Sequence, residues 1–395
     1  MHRLINILLA ISALQSLPLQ AQAVNVEKEV RQLLAVGAAG FSMALIDKNG
    51  IYWSESQGFA DIEADRPMSI DTIMNVASIS KTLTGTSLMI LVEQGKLDLD
   101  RDVNDYLPFK VENPHHPGTV ITARQLLTHT SSIVDHAELY YSEIVYFPGA
   151  DNPIGLGDFV RSYLSASGRF FDPANFAQYQ PGAEHQYSNI GYGLAGYLVE
   201  VLSELPLNRF SADKIFRPLK MQSTGWMLTE IDTEKHSRLY EWGNNGHEVI
   251  EWYGLATWPD GGVRTSVRDL SRFLAAMINA GEIEGTRIVG SNPLKSMFQP
   301  QFTRGQVLES VAEDGVSRQA ITWSYRSDIN GDTVVGHSGG DPGVTTHAYF
   351  YPATGKGAIL LVNTSSEMDS FNQAVTAMIR ALLDAALTPS SVNGR

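Results

Sequence analysis

The sequence contains no cysteine. That excludes a disulfide scaffold, a thiol nucleophile, thiolate zinc sites and Cys-ligated iron–sulfur clusters. It leaves the redox compartment open, because a disulfide-free chain can fold anywhere. Positive charge is also in deficit: 29 Lys and Arg face 43 Asp and Glu, a formal net charge of −14 over 395 residues. Nucleic acid is therefore not an expected partner, since phosphate recognition needs a basic face. Beyond the N-terminus no segment approaches the ~18 uninterrupted apolar residues of a membrane span. What is present is ordinary for a globular protein: the chain is 43% hydrophobic and 18% charged, which excludes wholesale disorder. The length suggests two or three domain-sized units. No internal repeat or low-complexity tract interrupts it.

The N-terminus has its own character. His2 and Arg3 precede a mostly apolar run from Leu4 to Leu14, followed by Pro18 and Ala21-Gln22-Ala23. A short positive start, a hydrophobic stretch and an A-x-A site predict a secretory signal peptide over residues 1–23. The expected mature protein is periplasmic or secreted, with no membrane anchor after cleavage.

Downstream, Val26–Leu34 reads as a helix, and Phe41–Ile46 with Ile51–Glu55 as a hairpin turned by Asn49-Gly50. Thr82–Gln94 is a compact apolar helix closed by Gly95. Residues 97–211 alternate helical pieces with Pro- and Gly-bearing loops. Ser266-Val267-Arg268-Asp269 starts a helix that runs to about Ala280. Strand signals return at Ala320–Arg326 and Thr333–Gly336, around Asn330-Gly331, then at Thr345–Tyr351 and Gly357–Val362. An amphipathic helix, Phe371–Leu387, closes the chain. The fold class this order implies is α+β: an antiparallel sheet flanked by helices, with an inserted mainly helical domain. The sheet domain would comprise residues 24–96 and 255–395, and the helical domain 97–254.

Two serine motifs compete for the chemistry. Gly336-His337-Ser338-Gly339-Gly340 matches the G-x-S-x-G elbow, which requires a strand, a sharp turn bearing the Ser, and a helix. Here β-rich Thr345–Tyr351 follows instead; the available His347 is preceded only by Asp341, which sits in the turn beside the Ser rather than at the end of a later strand. The second motif is Ser78-Ile79-Ser80-Lys81 at the start of a helix. The i, i+3 spacing puts both side chains on one face, close enough to share a proton. Ser211-Ala212-Asp213-Lys214 repeats the spacing but reads as an ordinary packed segment. Two further elements distinguish the first motif: Tyr187-Ser188-Asn189 in a loop before a helix, and His337-Ser338-Gly339 at the end of a strand.

The ordered set Ser78, Tyr187, His337 resembles the penicillin-recognising serine hydrolases: class C β-lactamases, D-alanyl-D-alanine carboxypeptidases, D-aminopeptidases and related esterases. The likeness covers nearly the whole expected mature chain. Gly95–Asp100, Tyr106-Leu107-Pro108, Leu126–Ser131 and Gly261–Arg264 resemble further family segments. Ser132 stands where relatives commonly carry Gly, and His337 replaces the Lys of most β-lactamases.

The resemblance implies an acyl-enzyme on Ser78, with Lys81 taking up or relaying its proton. Tyr187 would protonate the leaving group and activate water, and which of Lys81 and Tyr187 is the base stays open. Backbone N–H groups of Ser78 and Gly340 would form the oxyanion hole. Asn189 would bond Lys81 or the substrate. His337 would orient Tyr187 or meet the substrate's tail, with a charge that changes near neutral pH. His129 is expected to hydrogen-bond its own loop. Trp252, Tyr253 and Trp258 are either cleft-lining or core. His115-His116 lacks the company of a metal site, so neither metal nor cofactor is expected. The expected substrate is a small molecule or peptide, specifically a D-amino-acid peptide or amide or an ester, because His337 carries no permanent charge to clamp a carboxylate. The alternatives are a β-lactamase or D-alanyl-D-alanine carboxypeptidase, and a slow-turnover penicillin-binding sensor.

Overall fold

A computed structural model describes residues 26–302, 318–327 and 332–388. The predicted signal peptide and the Asn330-Gly331 turn lie outside the described residues. Helices α1 (Glu27–Ala35), α2 (Ser80–Glu93), α3 (Leu156–Leu164), α4 (Asn189–Ser203), α5 (Val267–Ile278) and α6 (Asp369–Leu387) surround one large sheet. Its strands are β1 (Gly40–Asp47), β2 (Gly50–Asp61), β3 (Arg66–Pro67), β4 (Arg318–Gln319), β5 (Ser324–Ser327), β6 (Thr333–Asp341), β7 (Val344–Tyr351) and β8 (Lys356–Val362). In space they run β4-β5-β6-β7-β8-β1-β2-β3, and every neighbouring pair is antiparallel. The β8–β1 pairing, which sets Phe41 opposite Val362, joins the two ends of the chain.

Alternation along β1 explains the layers. Phe41, Met43 and Leu45 point to one face, where they pack with Leu360, Val362 and the α1 and α6 residues Leu33, Phe371, Val375 and Met378. Ala44 and Ile46 point to the other face, toward α2, α5 and the helical region. Both faces are covered, so the central strands read as nearly continuous apolar runs. Helix α2 is buried almost all round, from Ser80 to Leu91, which explains its lack of an amphipathic stripe. Helix α5 starts where its sequence announces, with the Ser266 hydroxyl accepting from the Asp269 N–H at 3.2 Å.

Three differences from the sequence reading bear on the site. Ala320–Arg326 is not one strand: Thr322 has φ 71° and a turn separates β4 from β5. Strand β6 does not end at Gly336 but carries His337–Gly340 within it. Residues 239–250 form a hairpin, Leu239–Gly243 with Gly246–Ile250, and its first strand pairs parallel to Thr364–Ser365 just after β8. Residues 97–254 are thus not helical throughout.

Candidate active site

The residue before the nucleophile candidate is strained. Ala77 is buried with φ 46°, a left-handed conformation that costs a non-glycine residue about 1 kcal/mol. It opens the short turn Ala77–Ile79 that swings Ser78 out at the head of α2. Strand β6 crosses this turn closely. A Cβ on Gly339 would lie 2.6 Å from the Val76 carbonyl oxygen and 2.9 Å from Ala77 Cβ, so only glycine fits. The Thr346 hydroxyl of β7 donates to the same Val76 carbonyl at 3.0 Å and ties the sheet to the turn.

Lys81 lies one helical turn beyond Ser78 and is fully buried. Its ammonium makes three bonds: to Ser78 Oγ at 2.9 Å, Asn189 Oδ1 at 2.7 Å and the Asp260 carbonyl at 2.8 Å. These match its three donors, so the side chain has one orientation. Burial pulls its pKa down, against the opposing pull of the Asp260, Asp135 and Asp341 carboxylates. The Tyr187 hydroxyl bonds to Ser78, and its ring lies 4.9 Å from the Lys81 nitrogen. Although the ring is 38% exposed to the cleft, desolvation of its hydroxyl beside Ser78 raises the Tyr187 pKa, so the resting phenol keeps its proton.

The loop bearing Tyr187 and Asn189 is held by a residue the sequence reading missed. Asp135 accepts from the Ser188 hydroxyl at 3.0 Å and from the Asn189 and Ile190 N–H groups at 2.7 and 2.9 Å. Its carboxylate thus satisfies the first donors of α4, where the helix dipole favours negative charge. Ser188 itself caps the helix by accepting from the Gly191 N–H. His129 holds the other side of the loop. It takes the Ser188 N–H on Nδ1 at 3.1 Å, and its ring stacks on Tyr187 at 4.2 Å. Burial pushes its pKa well down, so the stacked ring is neutral.

His337 and Gly340 lie on the opposite wall. Strand β5 pairs with β6 only as far as Gly336, which leaves β6 from His337 to Asp341 without a paired strand on that side among the described residues. The backbone there opens onto the cleft, and a Cβ at Gly340 would meet nothing within 4 Å. The expected titration of His337 near neutral pH is not supported. Burial and the nearby Lys81 push its pKa down to about 3. Its Nδ1 lies 2.5 Å from the Ser338 carbonyl, which makes Nδ1–H the donor and leaves Nε2 as an acceptor. His337 is a neutral hydrogen-bonding group.

A cavity of about 360 Å³ lies between these walls, lined by Ser78, His129, His185, Tyr187, Ser324, Arg326 and His337 among others. Arg326 is a second residue the sequence reading missed. Among the described lining residues it alone carries a permanent charge. The remaining candidates settle elsewhere. Trp258 packs against Trp226, Tyr253 is buried, Trp252 donates to the Ser237 carbonyl, and none of the three lines the cavity. His115 and His116 bond the carbonyls of Pro173 and Gln178. Ser211 is buried and donates to the Leu207 carbonyl, while Lys214 faces solvent. Ser338 sits inside a strand rather than at an elbow. Ser132, the departure from the usual Gly, takes φ 62°, and its hydroxyl accepts from Asn113 Nδ2 at 2.9 Å.

Known proteins share this fold and family. Staphylococcus aureus (strain N315) "Protein flp" is 24% identical over 346 residues, 87% of this chain and 63% of flp. This chain therefore spans less than two thirds of that relative. "Esterase EstB" of Burkholderia gladioli is 31% identical over 211 residues, 52% of this chain and 50% of the esterase. Among solved structures, the D-amino acid amidase of Ochrobactrum anthropi SV3 superposes with a TM-score of 0.71 at 23% identity, covering 90% of this chain and 97% of the amidase. A Beta-Lactamase/D-Alanine Carboxypeptidase of Pseudomonas syringae gives 0.68 at 20% identity, covering 92% and 98%. Both likenesses establish the shared fold. The family described as Beta-lactamase matches residues 26–383, and the chain belongs to that family of serine hydrolases.

Proposed function

We propose that this chain hydrolyses an amide or ester through an acyl-enzyme on Ser78, acting on a D-amino-acid peptide or amide or on an ester. The observation that carries the reading is the 2.9 Å bond from Lys81 Nζ to Ser78 Oγ, with the Tyr187 phenol on the same hydroxyl. Burial acts oppositely on the two partners. It favours the neutral amine of Lys81 and the neutral phenol of Tyr187. Once deprotonated, the amine keeps the 2.9 Å contact to Ser78 Oγ but accepts there instead of donating, so it is the base and the phenol the acid. Ser78 Oγ attacks the carbonyl carbon as its proton passes to Lys81. The oxyanion takes hydrogen bonds from backbone N–H groups of Ser78 and Gly340. The tetrahedral intermediate collapses to the acyl-enzyme, and the leaving nitrogen or oxygen takes the Tyr187 proton, which Lys81 replaces. Water then repeats the sequence to release the acid. The names of the relatives, an amidase and an esterase, accord with this choice.

One observation favours a second reading. Arg326 in the cleft supplies the permanent positive charge that His337 lacks, which suits a substrate carboxylate, as in a D-alanyl-D-alanine carboxypeptidase or a β-lactamase. The signal-peptide-like N-terminal stretch supports a periplasmic or secreted location for either activity. The test is intact-mass spectrometry after brief exposure to benzylpenicillin, with Ser78→Ala in parallel, followed by D- and L-amino-acid amides and a chromogenic ester. Ser78-dependent ester or D-amide turnover without a penicillin adduct supports the first reading. A short-lived adduct with drug loss, weakened in Arg326→Ala, supports the second, and a long-lived adduct without turnover indicates a penicillin-binding sensor. Turnover that survives in Ser78→Ala refutes all three.

A further inference from the structure

Tyr141, at 73% exposure, is the most exposed large apolar side chain among the described residues. It belongs to a cluster of three tyrosines. Tyr140 meets Tyr141 and Tyr146 edge-on, at centroid distances of 5.2 and 5.8 Å, and Tyr141 stacks on Tyr146 at 6.3 Å. The other two rings are pinned by their hydroxyls: Tyr140 donates to the Asp260 carboxylate at 3.3 Å, and Tyr146 to the Asp341 carboxylate at 2.7 Å. Both anchors belong to the site. The Asp260 carbonyl accepts from Lys81, and Asp341 ends β6 directly after Gly340. Between them, a Cβ on Gly261 would lie 3.3 Å from Asp341 Oδ2 and 3.9 Å from the carbonyl carbon of Ala77, the residue before Ser78. Tyr141 is thus a solvent-facing ring held in place beside the nucleophile, and a ring ordered in advance loses little entropy when another ring packs on it.

The direction of the proposed reaction assigns the two ends of the cleft. The leaving atom takes the Tyr187 proton, and Tyr187 shares the cavity of about 360 Å³ with His185, Arg326 and His337, so the leaving portion occupies that cavity. With the oxyanion on the Ser78 and Gly340 N–H groups, the acyl portion extends the other way, past Gly340 toward Asp341. We infer that Tyr141 is a specificity-determining residue: backed by Tyr146, it forms an aromatic platform for an aryl group carried a few bonds from the scissile carbonyl, as in a phenylpropanoyl group or an aromatic amino-acid residue. The inference rests on the proposed reaction and names its acyl group. The two ends differ in character as this requires. Arg326 lies at the leaving end, whereas Asp260 and Asp341 near the acyl end each carry a tyrosine hydroxyl, which leaves ring faces to meet the substrate. Phe147 supplies a control. It is 36% exposed and follows Tyr146 on the short strand Tyr146–Pro148, so it projects from the opposite face.

The test compares para-nitrophenyl esters of β-phenylpropanoic, β-cyclohexylpropanoic and propanoic acids, which share one leaving group and differ only in the acyl end. Their kcat/KM values, each divided by the rate of alkaline hydrolysis, are measured for wild type, Tyr141→Ala, Tyr141→Phe and Phe147→Ala. Ring-on-ring contact adds about 3- to 10-fold beyond the area buried, so wild type should prefer the phenyl to the cyclohexyl ester by about that factor. Tyr141→Ala should lose the preference while its propanoate rate stays within about twofold of wild type, because that ester has no ring to stack. Tyr141→Phe should keep the preference, and Phe147→Ala should match wild type with all three esters. In parallel, 13Cε-labelled tyrosine resonances of the Ser78→Ala protein are followed with β-phenylpropanamide and β-cyclohexylpropanamide, Tyr141 being assigned by its loss in Tyr141→Phe. The aryl amide alone should shift the Tyr141 resonance. Equal rates for the phenyl and cyclohexyl esters, a preference that survives Tyr141→Ala, or an equal fall for all three esters overturns the inference. Loss of the preference in Phe147→Ala overturns it too. If wild type shows no Ser78-dependent turnover of any ester, the proposed reaction has failed, and the resonance then decides: a shift with the aryl amide alone upholds the platform, and no shift refutes it.

Discussion

Gly339→Ala is the most economical test of how the site is assembled. The added methyl carbon would sit 2.6 Å from the Val76 carbonyl oxygen, 2.6 Å from Thr346 Oγ1 and 2.9 Å from Ala77 Cβ. Ordinary contact needs about 3.4 Å or more, so β6 and the Ala77–Ile79 turn must separate by about 0.5–0.8 Å. Neither side yields easily, because Val76 O is backbone and Thr346 Oγ1 is tied to that oxygen. Overpacking of this kind costs about 1–3 kcal/mol. The functional cost should be larger in proportion, since the separation opens the distance between Ser78 and the β6 edge that bears Gly340. A displacement approaching 1 Å between reacting groups costs on the order of 100-fold. The assay is the rate of Ser78 phosphonylation by a fluorophosphonate, in which Ser78 Oγ displaces fluoride from phosphorus, followed by intact mass with thermal denaturation in parallel. The expected result is a fall of about 10- to 100-fold in phosphonylation with a loss of only a few degrees in Tm. Phosphonylation within twofold of wild type at an unchanged Tm would show that β6 does not set the geometry around Ser78.

Asp135→Ala removes three hydrogen bonds to a carboxylate at the start of α4, each worth about 1.5–3 kcal/mol before the carboxylate's own burial cost is subtracted. A net loss of about 2–4 kcal/mol by urea denaturation is expected, with ester kcat/KM falling as Tyr187 and Asn189 lose their anchor. Asp341 has the opposite stability sign from a salt-bridged acid: burial raises its pKa from 3.8 to about 6. Between those values the folded state holds a proton that the unfolded state has released, so its contribution to stability falls as pH rises and levels off above about 6. Asp341→Asn should therefore gain on wild type by up to about 3 kcal/mol between pH 3.5 and pH 7, and a constant difference in denaturation across that range would contradict the assignment. His337 is neutral throughout this range. His337→Gln should lower ester kcat/KM without moving either limb of its pH profile between pH 5 and 8, and a lost inflection near pH 6.5 would show that the histidine titrates after all.

The elements legible in the sequence are those whose signals are local. The Asn49-Gly50 turn, the Ser266 cap and the apolar spacing of Phe371, Val375, Met378 and Leu382 each lie within a few residues of the structure they specify. Ser78 and Lys81 were readable for the same reason, since one helical turn joins them. Strand β2 shows where local reading ends. It runs on past Glu55 to Asp61 because β1 and β3 pair with Ser56, Gln57 and Phe59, although Ser-Gln-Gly is a weak strand sequence. The strand bearing Gly339-Gly340 persists likewise, held by β7. Asp135 and Asp260 were invisible because their partners are distant in sequence: Asn189 is 54 residues beyond Asp135, and Lys81 is 179 residues before Asp260. Only the Gly-Gly after Asp260 hinted at a close approach. The neutrality of His337 was likewise illegible, since a residue's composition does not reveal its burial.

The charges of the site are stratified, and the order matters for the reaction. Asp135, Asp260 and Asp341 lie behind Lys81, the neutral imidazoles of His129 and His337 flank the nucleophile, and Arg326 lies on the cleft wall. In the proposed reaction, charge passing from Ser78 to the substrate oxygen would develop between the buried Lys81 and a wall whose imidazoles are neutral. An imidazolium at position 337 would repel a protonated Lys81 and compete for the developing oxyanion, and burial prevents it from forming. In the proposed reaction, the acids on the far side of Lys81, where ionised, would favour the protonated state that Lys81 would reach on taking the Ser78 proton. Burial opposes their ionisation, raising Asp341 to about 6 and Asp260 to about 7, so this support would grow as pH rises.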